Sequence, residues 1–444
     1  MRNTNAIHRH LFCRDRLGSV LARFASTTMK SITSTIPLVL VVLSQPLMAN
    51  PPSPIVVPEK KASTWLKPML DVRTRYEMGD FDKLDTSNAL TTRARAGMQT
   101  TAFHGFSALV DGEFTRAAID DYSGGAKEAE PFDTTKTVIG DPETTELNQA
   151  FLQYQGWDTT FKAGRQRIKY DNDAFVGNVI WRQNEQTYDA LSFVNQSVPG
   201  LTMSYAYVNQ VNRIFGSDAD AAITPSYTNV DHYEADTHLL NASYTGIKNW
   251  TLGSYIYLMD FDEIPSYDNQ TFGVSAKTNA FGLALSAELA YQDEAGTGSD
   301  KDAMYFHGIA TKTVGAQSFT LGLEHLDAGM KTPLATLHAF NGFADVFINQ
   351  RANGSHNGIT NPYFSHAMPI FWGMKWINTF HIMGDNEISA GYGWEYDFVL
   401  TKKFNDHLLA LAKLGVFNSN GDVLNGKSEA PDATRFSIEL DYTF

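Results

Sequence analysis

From Thr434 onward, Phe436, Ile438, Leu440, Tyr442 and Phe444 alternate strictly with Arg435, Ser437, Glu439, Asp441 and Thr443. Alternation with period two marks a β-strand with one apolar face. This strand ends on an aromatic residue, which suits a membrane better than a soluble core. Alone in lipid it would leave backbone donors and acceptors unpaired, at several kcal/mol per group, so it can exist there only as one stave of a closed barrel. The rest of the sequence is expected to provide the other staves.

It contains seventeen further runs of the same kind, the first at 64–77 and 90–103, the last before the terminal strand at 407–417. Short connections such as His104-Gly105, Trp157-Asp158-Thr159, Val314-Gly315-Ala316 and Asn405-Asp406 alternate with long polar ones at 119–145, 211–233, 328–359 and 418–431. Outer-membrane barrels sort their connections in this way, with short periplasmic turns and longer outer loops. The expected fold is thus all-β, a transmembrane antiparallel barrel of about eighteen strands, wide enough for an aqueous channel unless loops fill it. Trp65, Tyr76, Tyr154, Trp157, Trp250, Tyr396 and Tyr442 lie near strand ends, as interfacial aromatic girdles require.

Residues 29–49 combine a basic start, the apolar run Ile36–Leu43 and a small Ala49, the pattern of a secretory signal. The expected layout is a removed segment 1–49, with either Met1 or Met29 as the start, a Pro-rich periplasmic lead-in 50–62, and the barrel from 63 to 444. The single cysteine, Cys13, falls in the removed part, so no disulfide and no cysteine metal site is expected. Taking off residues 1–49 removes six basic and one acidic side chain from 35 and 49, leaving a net charge of −19. So acidic a chain is not a nucleic-acid partner. Its mildly polar composition fits a barrel with a wet lumen, since only every second strand residue faces lipid.

Five segments carry a family resemblance: E-L-N-Q-A-F-L-Q-Y (146–154), A-G-R-Q-R-I (163–168), W-R-Q-N-E-Q-T-Y-D-A (181–190), Y-V-N-Q-V-N-R-I-F-G (207–216) and T-P-L-A-T-L-H-A-F-N-G-F-A-D (332–345). In these the chain resembles the alginate-export family of Gram-negative outer-membrane proteins. The resemblance implies an eighteen-stranded porin-like barrel that passes an anionic polyuronate through an Arg-lined lumen. Terminal Phe444 also resembles the signal by which the barrel-assembly machinery recognises outer-membrane proteins. Outer-membrane lipid and lipopolysaccharide are the remaining expected partners.

No G-x-S-x-G and no H-E-x-x-H occurs, and no closely spaced pair is found among the ten histidines after residue 49, so neither enzyme activity nor a cofactor is expected. Asp171/Asp173, Asp218/Asp220 and Asp260/Asp262/Glu263 read as solvated loop charge, with oxygen ligation of Ca²⁺ as the alternative. The arginines are more informative. If Leu70, Val72, Thr74 and Tyr76 face lipid, Asp71, Arg73, Arg75 and Glu77 face the lumen, and Ala94, Ala96 and Met98 likewise turn Arg93 and Arg95 inward. A hairpin folded about Leu84 would set Arg73 opposite Arg95 and Arg75 opposite Arg93. Two readings stand open: a basic strip that attracts anionic solute, or a wall ladder neutralised by Asp71, Glu77, Asp111 and Glu113. Arg165, Arg167 and Arg182 are candidates to join the lining. The expected function is an outer-membrane channel for passive passage of hydrophilic, anionic saccharide-type solutes, with a general diffusion porin as the alternative. Apolar Leu334, Leu337, Phe340, Phe343 and Phe347 need a partner, and two courses stand open for 328–359: folding into the lumen and narrowing it, or packing on neighbouring loops as a lid at the outer mouth.

Overall fold

Alternation is realised as extended backbone at every one of the eighteen places. The computed structural model describes residues 65–444 apart from 127–129, 220–230, 263, 294–301, 356, 387–390, 423 and 425–428. The signal segment with Cys13, the lead-in 50–62, Asp220 and Glu263 lie outside the described residues. In chain order the strands are β1 (Leu66–Phe81), β2 (Ser87–Thr100), β3 (Phe106–Asp121), β4 (Thr144–Gly156), β5 (Thr159–Gln166), β6 (Thr187–Asn195), β7 (Leu201–Asn212), β8 (His232–Tyr244), β9 (Trp250–Met259), β10 (Asn269–Ala280), β11 (Leu283–Asp293), β12 (Ala303–Val314), β13 (Gln317–Leu326), β14 (Ile359–Pro369), β15 (Met374–Gly384), β16 (Gly391–Lys403), β17 (Leu408–Ser419) and β18 (Ala433–Thr443). Each pairs antiparallel with its neighbours in sequence, and β1 also pairs with β18, which closes the sheet. No helix among the described residues is long and apolar enough to cross a membrane.

The burial pattern inverts that of a soluble protein. Leu152, Leu191, Val274, Leu321, Phe364 and Ile438 stand exposed on the outer face, while Thr115, Thr237, Ser365 and Ser437 are buried within. Only a lipid surround makes such a surface stable. At the short turns Trp157, Phe281 and Trp372 take positive φ of 55°, 54° and 58°. Left-handed backbone is what tight hairpin turns demand. At 80, 89 and 79 % exposure these rings reach out to headgroup depth. Trp65 and Tyr442 of the expected girdle are exposed in the same way.

The first hairpin departs from the expected register. Arg73 lies opposite Arg93, Arg75 opposite Thr91 and Asp71 opposite Arg95. The turn is centred on Lys83 (φ 72°) rather than Leu84. A slip of two residues preserves which side chains face inward, so alternation alone does not reveal it. Across the closing seam, Arg73 sits opposite Asp441 and Arg75 opposite Glu439.

A barrel closed through eighteen ladders should resist detergent. An unheated sample is expected to migrate differently from a boiled one on electrophoresis, with a circular dichroism spectrum dominated by strand. Substantial helix in that spectrum would contradict the fold.

Candidate functional site

Three long loops turn into the barrel. β5 has only eight residues, and the chain leaves the wall after Gln166 to form loop 167–186. From Asp173 to Gln186 every residue except Val179, Ile180 and Trp181 is buried. Loop 327–358 enters from the other side, with Leu334 and Phe347 fully buried. Burial of each such side chain is worth about 1.5–3 kcal/mol. Of the two courses open to this segment, folding into the lumen is the one met in position. The two loops dock on one another through a parallel bridge between Val176 and Leu334. Gly177 permits the approach, since a Cβ there would lie 2.2 Å from Thr336 Oγ1. Trp181 and His338 stack face to face, 4.1 Å apart and 2° from parallel. The wall holds the tip of loop 327–358 by its backbone: the Phe343 N–H donates to Asp397 (3.2 Å) and the Ala344 N–H to Glu395 (2.6 Å). Gly415 lets the tip come close, because a Cβ on it would meet the Ala344 nitrogen at 2.6 Å. Loop 122–143 is the third, and Asp141 accepts from the Gln183 N–H at 2.8 Å.

These loops decide what the arginines do. Arg73 donates to Asp441 (2.6 Å) and to the Ile180 carbonyl (2.9 Å). Arg75 reaches Glu439 (2.7 Å), Asp141 (3.1 Å) and the Trp181 carbonyl. Arg93 pairs with Asp71, and Arg95 with Glu113 and the Gln183 carbonyl. Arg182 bridges Glu77 (3.1 Å) and Asp345 (3.1 Å), and Arg435 joins Glu77 at 2.6 Å. Arg167 binds Glu185 at 2.6 Å. Asp111 accepts from Gln149 at 3.1 Å.

Arg73, Arg75 and Arg95 therefore grip the main chain of loop 167–186, and each of these guanidinium groups is matched by a carboxylate. Arg75, Arg93, Arg95, Arg182, Glu77, Asp111 and Glu113 are buried. Their expected place on an open channel wall is corrected: they face inward, but the loops cover them. Arg73 is also buried yet reaches the edge of the open space, and Asp71 is half-exposed. Arg165 is corrected further. Gln166 and its partner Tyr188 are buried on the inside, so Arg165 and Asp189 point outward, joined at 2.8 and 3.0 Å. Burial works to raise the Glu185 carboxyl, but Arg167 and Arg95 hold it down at about 2. The stability it lends the loop is full above its ordinary value of 4.5 and is lost as pH falls toward 2.

What the loops leave open is a space of about 410 Å³. Its wall residues come from β12–β18 and β1, and its other side is made by the two docked loops. The passage is thus eccentric. Asp171 and Asp173 line it as well, with Asp173 joined to Lys169 at 3.0 Å, so this pair is not outer-loop charge. Among the described residues no group of three or more His, Cys, Asp or Glu could hold a metal. The cation that sequence reasoning missed is Lys413. Its Nζ lies 3.5 Å above the Trp181 ring, 4.5 Å from the Phe343 ring and 3.3 Å from His338 Nε2. Among the described residues it makes no ion pair within 4.0 Å, although its position lines the open space. One signal was available: Lys413 is the single charge in the apolar run of β17.

No protein-family model and no curated protein matches the sequence. Solved structures do. The chain is similar to OccAB4 of Acinetobacter baumannii, at 15% identity and a TM-score of 0.65 over 86% of this chain and 98% of that one. It is similar to Pseudomonas aeruginosa OpdK with vanillate, at 13% identity and a TM-score of 0.63 over 85% and 98%. A structure described as the outer membrane protein OpdK gives 13% and 0.59 over 85% and 99%. The fold is the outer-membrane β-barrel.

Proposed function

We propose that the chain is a channel of the Gram-negative outer membrane for passive passage of small hydrophilic anions, saccharide acids among them. The observation that carries this reading is Lys413, a lysine on the wall of the open space that makes no ion pair within 4.0 Å among the described residues. Positive side chains in a narrow passage select anions. The acidic net charge opposes this, but permeating ions respond to charges within about 8 Å at physiological salt, so distant loops count for little. The resemblance to the alginate-export family supports a uronate. The size of the space argues for short units, since about 410 Å³ is the scale of a single small-molecule site. A polymer strand would require the loops to move. A general diffusion porin is the weaker reading, because three loops occupy the lumen it would need.

Reversal potentials in a KCl gradient across a bilayer provide the test. One unit charge about 4 Å from a passing ion is worth about 1 kcal/mol in water. Lys413→Gln is therefore expected to lower the anion-to-cation permeability ratio about fivefold and to weaken block by uronate oligomers. An unmoved ratio would favour the general porin.

A further inference from the structure

Three aromatic rings and one ammonium form a closed unit at the edge of the open space. His338 is sandwiched between Trp181 (4.1 Å, 2°) and Phe343 (5.1 Å, 19°). Its Nδ1 is 2.7 Å from Asp345 Oδ1. A carboxylate only accepts, so Nδ1 carries the hydrogen and Nε2 presents a lone pair. That lone pair faces the Lys413 ammonium at 3.3 Å, which donates to it. Lys413 is held in place by the neutral imidazole and two ring faces.

We propose that His338 is a proton-operated release for Lys413: the neutral imidazole holds the ammonium on the stack, and protonation of Nε2 frees it to meet anions in the passage. The inference rests on the reading of Lys413 as the anion-attracting group. The added proton takes the Nε2 lone pair, the N–H···N bond from Lys413 is lost, and no other bond changes. An imidazolium and an ammonium then face each other at contact distance, and the flexible lysine stem is the part that yields. The stack itself survives, because a cation sits well against an aromatic face. The loops stay docked while the passage gains the charge of His338 and the reach of Lys413.

The surroundings of His338 make the response acid-triggered. Asp345, on the same loop, favours the protonated form. Arg182 from loop 167–186 and Arg75, over Trp181 from β1, oppose it. From the wall come Lys413 on β17, Asp397 on β16, and Glu439 and Arg435 on β18. Burial dominates and brings the imidazole down to about 4, with Asp345 opposing. The folded protein therefore keeps His338 neutral below the usual range and protonates it only as pH approaches 4. His307 and His381 also line the space.

The test uses the full barrel in a bilayer, with the anion-to-cation permeability ratio read from pH 7 to 3.5 in KCl. Carboxyl groups of the lumen also titrate there, so the readout is the difference between the native chain and variants that keep every carboxyl. With His338→Gln the rise on acidification should fall short of the native rise by about fivefold, the worth of one charge about 4 Å from a passing ion. With His338→Phe, which keeps the stack and removes the acceptor, the ratio at pH 7 should already exceed the native ratio at pH 7, and its further rise on acidification should be no larger than that of His338→Gln. Native and both variants rising in parallel would overturn the release. If Lys413→Gln leaves the ratio at pH 7 unmoved, the anion reading has failed. If Lys413→Gln lowers it but the His338 variants follow the native curve, only the release has failed.

Discussion

Replacing Arg75 and Arg93 together by Gln should make the barrel unfold from its unheated electrophoretic form at a clearly lower temperature, with little movement of the reversal potential. Arg75 is fully buried and holds Glu439, Asp141 and the Trp181 carbonyl at once. Removing one partner of a buried pair costs about 3–5 kcal/mol, because the other charge remains without compensation. Here two carboxylates on different elements lose their nearest cation together, leaving Glu439 with Arg73 at 3.8 Å and Asp141 with Arg182 at 3.7 Å. Removing Arg93 also unpairs Asp71, at smaller cost because Asp71 is half-exposed. Covered guanidinium groups cannot exchange contacts with a passing ion, so selectivity is expected to follow Lys413. A large shift in reversal potential at unchanged thermal resistance would return these arginines to the channel wall.

Shortening loop 327–358 by replacing 334–347 with a few Gly and Ser residues should raise single-channel conductance at least about threefold, since an eighteen-stranded wall encloses an aqueous lumen once its filling is withdrawn. This segment carries Phe343 and Ala344 against the wall and His338 against Trp181. Its removal opens the passage and takes away the partner on which loop 167–186 rests. Conductance that does not change would mean that the loop is a lid above the lumen.

The strands were legible because each needs only its own residues. Phe436, Ile438 and Leu440 announce one face and Arg435, Ser437 and Glu439 the other, whatever lies elsewhere in the chain. The register of the first hairpin was not, because the turn length around Lys83 leaves every face unchanged when it shifts by two. Loop 167–186 was hidden for a stronger reason. Arg182, Gln183, Asn184 and Glu185 carry no apolar alternation of their own, and they are buried because Glu77, Thr91, Thr115 and Asn148 supply partners from distant strands. The same fact separates the facing of the arginines, which alternation gives, from their accessibility, which it does not. Apolar side chains, by contrast, made a buried course of 327–358 readable, since Leu334 and Phe347 have no use in an exposed loop.

The charges at the seam between β1 and β18 bear on how the chain finds its own end. The residues that pair there are as much as 372 positions apart, Asp71 with Thr443. Arg73 then meets Asp441 and Arg75 meets Glu439. A slip of two residues one way would set Asp71 opposite Asp441 and leave Arg75 against Ser437; a slip the other way would set Glu77 opposite Glu439. Either error brings like charges together inside the wall and leaves a guanidinium unmatched. The seam charges therefore select one register of closure over both of its two-residue neighbours.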